Sequence, residues 1–169
     1  MMRRMDAPDP TPGPTSADGT PTHDPVMADI TRAQQLATGG QRELARAEFA
    51  KIWDRIGPDG DPLHRVALAH YMADVQEDIA AELGWDLQAL AAADELTDER
   101  AKEYHHTLAV RGFYPSLHLN IAADYDRLGR AEEARLHLDH AEQALGHLPE
   151  GGYGDLIRSG IDRLRERLG

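Results

Sequence analysis

The sequence predicts an all-α domain built from antiparallel helix pairs stacked in order, about three pairs with one extra helix and a capping helix at the end. Three observations predict it. Valine, isoleucine and phenylalanine together supply only thirteen of 169 positions, while alanine and leucine dominate and arginine is abundant, which is a helix composition. Apolar residues recur at helical spacing between glycine and proline punctuation. A short spacing signature, glycine then alanine then a large residue, returns along the chain.

Residues 1–24 hold Pro8, Pro10, Pro12, Pro14 and Pro21 among threonine, aspartate and glycine. They offer too little apolar surface to repay the entropy of ordering, so a disordered tail is expected there and a helical domain over 25–169. The first helix is expected over about Val26 to Thr38, with Pro25 near its start and Gly39-Gly40 ending it. The second runs from Arg42 to Ile56, with Leu44, Ala45, Phe49, Ile52, Trp53 and Ile56 as its apolar positions, and stops at Gly57-Pro58. A third begins near Pro62 with Leu68, Met72, Val75 and Ile79 as a stripe. Reading on to Leu83 would exceed 20 residues, so a break at Glu77-Asp78 is preferred, with Asp78 capping a fourth helix to about Asp94; the other option turns at Gly84. Thr97 and Asp98 can cap a fifth helix carrying Ala101, Tyr104, His105, Leu108 and Ala109, ended by Gly112. Pro115 opens a sixth, ended by Gly129; a seventh spans about Ala131 to Leu145, closed by Gly146 and Pro149. Gly151, Gly152 and Gly154 form a loop before the last helix, Asp155 to Leu168. Eight helices with mostly short connections imply antiparallel neighbours.

Gly129 is followed by Ala134, Leu138 and Ala141; Gly40 is followed by Ala45, Phe49 and Ile52 at the same spacing. Glycine takes the tight turn between antiparallel helices, alanine lets the second helix approach the first, and the large residue four positions on fills the gap on the same face. With Ala122 and Tyr125 ahead of Gly129, this segment resembles a tetratricopeptide repeat, a helix-turn-helix unit of about 34 residues. The likeness covers 115–148 well, 26–58 fairly and 63–96 poorly. In the first unit Asp29 and Arg32 stand where bulky apolar residues usually sit, and the extra helix at 98–110 breaks the period. The chain also resembles short stand-alone repeat proteins of the actinobacterial type, and the resemblance implies a right-handed superhelical stack whose last helix, with Leu156, Ile157, Ile161, Leu164 and Leu168 on one side, solvates the open end.

The resemblance also implies a concave groove lined by the first helix of each pair, where a protein or peptide partner binds. Carried over residue by residue, Asn120 and Arg127 face that groove with Ser116 and Ala123 flanking them, and Tyr71, Asp74 and His64 are the counterparts on the third helix. Asn120 also has a plainer reading as a cap or local hydrogen bond, and Arg127 as a plain surface charge.

The formal charge is −12, which repels a phosphate backbone, so no nucleic-acid partner is expected. The arginines of the last helix alternate with acids and read as a solvated, ion-paired face. No run of about 18 apolar residues exists and no apolar segment follows Arg3 and Arg4, so neither a membrane span nor a secretory signal is expected and the cytoplasm is the default. The absence of cysteine removes disulfides, thiolate zinc sites and cysteine nucleophiles. Nine histidines raise a metal hypothesis, but His70 with Asp74, His137 with His140, and His105 with His106 supply at most two ligands locally, and zinc wants three or four; no metal or other cofactor is expected. No phosphate loop, nucleophile elbow or His-Glu-x-x-His is present, so no enzymatic activity is expected. Trp53 and Trp85 are expected to pack in the core. The function expected is a non-catalytic interaction module. The alternative is a small-molecule or metal-responsive helical sensor with an enclosed site, and a homodimer burying its own groove is also possible.

Overall fold

The computed structural model describes residues 24–104, 110–148 and 150–169. Among them are eight α-helices, two short 3₁₀ turns and no strand. The helices are α1 Pro25–Thr38, α2 Arg42–Ile56, α3 Pro62–Asp74, α4 Ile79–Glu95, α5 Asp98–Tyr104, α6 Tyr114–Arg127, α7 Ala131–Gln143 and α8 Gly152–Leu168. The pairs α1/α2, α3/α4 and α6/α7 pack most closely, α4 against α6 and α2 against α3 join successive pairs, and α8 lies on both α6 and α7. No helix among the described residues is long and apolar enough to cross a membrane.

The helix ends follow from local chemistry. Asp24 caps α1 by accepting from the Val26 and Met27 N–H groups at 3.1 and 3.0 Å. Asp61 caps α3 through the Leu63 N–H, and Asp78 caps α4 through the Ala81 N–H at 2.9 Å. The break at Asp78 is therefore the one formed, and Gly84 sits inside α4. Gly40 and Gly129, at φ 84° and 74°, take the turns inside the first and third pairs, a region that disfavours any side chain.

Two expectations need correction. α8 starts at Gly152, not Asp155, so Gly152 and Gly154 belong to its first turn and Gly151, at φ 119°, is the turning residue. α7 ends at Gln143, and Leu145–His147 tightens into a 3₁₀ turn. The expected tail (1–24) lies outside the described residues apart from Asp24, as do His105, Leu108 and Ala109 of the fifth-helix stripe, and Pro149.

Two apolar clusters hold the stack. The larger joins α1–α5 and the start of α6 and includes Met27, Ile30, Phe49, Leu68, Tyr71 and Phe113; Trp53 and Trp85 pack against it, edge to face at 5.1 Å. The smaller joins α6, α7 and α8 through Ala122, Ala134, Leu138, Ala141, Ile157, Ile161 and Leu164. Ala45, Ala122, Ala134 and Ala141 are fully buried, as close packing of paired helices requires, and Tyr125 packs partly buried on the second cluster.

Asp24 does more than cap. Its Oδ2 accepts from the His64 ring at 2.8 Å and lies 3.5 Å from Arg100, tying α1 to α3 and α5. Burial alone would raise its pKa, but the hydrogen bonds from His64 and the Met27 N–H, with the charges of His64 and Arg100, hold it below the ordinary carboxylate value. A carboxyl with a depressed folded pKa stabilises above its unfolded pKa, and that stability disappears as pH falls through the folded pKa. Asp24→Asn keeps a capping oxygen and removes the charge. It should cost about 1 kcal/mol at pH 7, and the gap to the unsubstituted protein should close in thermal melts run from pH 7 to below about pH 4. A gap that stays constant over that range contradicts the assignment.

Candidate functional site

The structure scatters the expected groove residues across several roles. Tyr71 is buried and its ring stacks on Phe49 at 6.3 Å. Ser116 is buried, donates to the Phe113 carbonyl at 3.0 Å and lies beside Tyr153 of α8. His64 is engaged by Asp24. Ala123 packs on the second cluster. The backbone carbonyl of Asp74 accepts from Arg42 at 2.8 Å. Arg127 donates to Glu82 of α4 at 2.8 Å and to Asp124 at 3.3 Å, both buried acids. Asn120 is half-buried, one helical turn beyond Ser116.

Tyr71 and Ser116 do meet. With Leu63, Val66, Ala67, His70, Phe113 and Leu117 they line an apolar dimple between α3 and α6. Its volume is about 30 Å³, room for one water-sized group.

A larger opening lies between α1 and α2, with a volume of about 600 Å³. Ala33, Leu36 and Ile52 supply its apolar surface, and Asp29, Arg32, Gln35, Glu48, Lys51 and Arg55 its polar one. Asp29 accepts from both Arg32 and Arg55, and Lys51 donates to Glu48 at 2.6 Å. Three cations and two acids leave this lining locally positive on a chain of net charge −12. Asp29 and Arg32 are the residues that stand where the resembled repeat has bulky apolar side chains. Of the pairs there, Asp29–Arg55 alone bridges the two helices, and it does so without filling the space between them.

The third feature was not legible from local spacing. Gly129 folds α6 back against α7, and His118 lies eleven residues before it and His140 eleven after it. An antiparallel hairpin brings such positions level. His137, one turn from His140, joins them, so one ligand nitrogen from each of the three rings lies within 4.8 Å of the others. The Nδ1 atoms of His118 and His137 are 3.0 Å apart, and the ring centroids are separated by 5.2 Å (His118–His137), 5.0 Å (His118–His140) and 6.0 Å (His137–His140). Tyr114 stacks on His118 at 6.1 Å and donates to Asp94 at 2.8 Å; Tyr125 packs on His137 at 5.5 Å under the Arg130 guanidinium.

Burial, and then the neighbouring His137 and His140, push His118 down to about 4 against the opposing charge of Asp94. Burial and His140 lower His137. Burial and the Asp94 carboxylate push Tyr114 up to about 12. These directions keep His118 and His137 neutral, with nitrogen lone pairs available at neutral pH. The signal for this site in the sequence was the symmetric placement of His118 and His140 about Gly129. Comparison with known proteins finds no matching family model, no matching curated protein and no matching solved structure.

Proposed function

We propose that the chain is a non-catalytic interaction module of the tetratricopeptide-repeat kind, a right-handed stack acting in the cytoplasm that holds a peptide or a partner domain against its helix-pair surface. The observation that carries the reading is the open cleft of about 600 Å³ between α1 and α2. Volume decides between the two openings: the α3–α6 dimple admits about 30 Å³, less than a leucine side chain needs, whereas the α1–α2 cleft falls in the range of ligand sites. Its mixture of apolar floor and charged wall is the composition of a transient interface. The local excess of positive charge favours a partner segment carrying a carboxylate, and such a contact weakens with salt.

Arg32 and Lys51 have side chains about 68% and 70% exposed, so reversing both charges spares the fold. A pull-down from native cell extract should retain specific proteins on the intact chain and lose them on the Arg32→Glu, Lys51→Glu double variant. Asn120→Ala, as the comparison on α6, should retain them. Loss through Asn120→Ala alone moves the binding surface to α6. Retention of the same proteins by all three chains, or of none, contradicts the reading. Retention of a second copy of this chain alone would make the function self-association.

A second reading, a metal-responsive helical protein, is favoured by one observation, the convergence of the His118, His137 and His140 nitrogens.

A further inference from the structure

We infer that His118, His137 and His140 form a binding site for one divalent transition-metal ion of the zinc class, which clips α6 to α7 within the third helix pair. The three donors come from two helices already held in register by the Gly129 turn, and the i,i+3 pair on α7 presents both of its rings to the same side as His118. A tetrahedral zinc with Zn–N bonds of about 2.0–2.1 Å needs its nitrogens about 3.3–3.4 Å apart. The His118–His137 pair is already at 3.0 Å and all three donors lie within 4.8 Å, so closure needs side-chain rotation and no movement of the helices.

The donor set selects the ion. Three imidazoles with no thiolate suit Zn²⁺, Cu²⁺, Ni²⁺ or Co²⁺, whereas Ca²⁺ and Mg²⁺ demand oxygen ligands. Three protein ligands leave one coordination position for water or an incoming group. Asp94 stands close enough to act on His118 electrostatically and accepts from Tyr114, whose ring lies against His118. It bears on the His118 ring through Tyr114 and through its charge, outside the set of three donors.

The site underlies the metal-responsive reading but is tested without it. Untagged full-length protein, stripped with a chelator, is titrated with Zn²⁺ by calorimetry and with Co²⁺ by visible absorption. The expected result is one Zn²⁺ per chain, a tetrahedral Co²⁺ band displaced by zinc, and a melting temperature raised by about 5 °C or more at a hundredfold excess over Kd. His118→Gln and His140→Gln should each weaken binding at least tenfold while keeping the helical circular dichroism of the parent, and His147→Gln, outside the cluster, should not. Absence of stoichiometric binding, or equal binding by the parent, His118→Gln and His140→Gln chains, overturns the site and leaves ring packing only. Zinc binding with unchanged capture of partners keeps the site and removes the sensor reading.

Discussion

Phe49→Ala is expected to destabilise the protein by about 3–5 kcal/mol, the largest effect of any single truncation in the first two pairs. Phe49 is the largest fully buried side chain among the described residues. It projects from α2 on the same face as Ala45 and Ile52, and its ring stacks on Tyr71 of α3 with an interplanar angle of 14°. Truncation removes the aromatic contact and leaves a cavity lined by residues of α1, α2 and α3. Because the α helices around it are held by short turns, the cavity can close only in part. A loss of that size is a large share of the 5–15 kcal/mol that a domain of this kind has. Leu44→Ala, on the solvent side of the same helix with Leu44 57% exposed, should change stability by less than about 0.5 kcal/mol. Urea midpoints with unchanged slope would measure both. Equal losses at Phe49 and Leu44 would contradict the packing described.

Arg127→Ala is expected to cost about 2 kcal/mol, and Arg127→Glu more, through charges rather than packing. Arg127 reaches from α6 to Glu82 of α4 and to Asp124 of its own helix, and the side chains of both acids are 7% and 2% exposed. Removing the cation leaves two buried carboxylates beside a third buried acid on α4, Asp86, which shares a face with Glu82 at i,i+4. The guanidinium is itself 41% exposed, which places the expected loss below that of a wholly buried pair. Glu82→Gln in the Arg127→Ala background should recover part of the loss, because an amide is far cheaper to bury than a carboxylate that has lost its neighbouring cation. A double-mutant cycle with no coupling between these positions would contradict the clamp.

The boundaries of α1 to α4 were legible from the glycines, prolines and capping acids that punctuate that part of the chain. Arg42 to Ile56 was read from its apolar spacing and is α2; Asp78 was read as a cap and caps α4. The start of α8 was not, because Gly152 and Gly154 read as loop formers, while in the structure Gly154 is buried and the Tyr153 side chain reaches Ser116. Tertiary packing there overrides a weak local preference. The groove was harder. Polar side chains on the first helices look free in one dimension, but His64 and Arg127 have partners 40 and 45 positions away, at Asp24 and Glu82, and Ser116 is buried against its own turn. The three-histidine cluster failed to appear for the same reason: i,i+3 and i,i+4 spacing reports one helix, and the third ligand is on another.

Amide hydrogen exchange of the full chain, alone and with a protein retained in the pull-down, tests the interaction reading most directly. The account predicts added protection in two segments only, Asp29–Leu36 of α1 and Glu48–Arg55 of α2, which together wall the 600 Å³ cleft, and loss of that protection in the Arg32→Glu, Lys51→Glu variant. Protection confined to α3 and α6, or no protection anywhere at saturating partner, would contradict it.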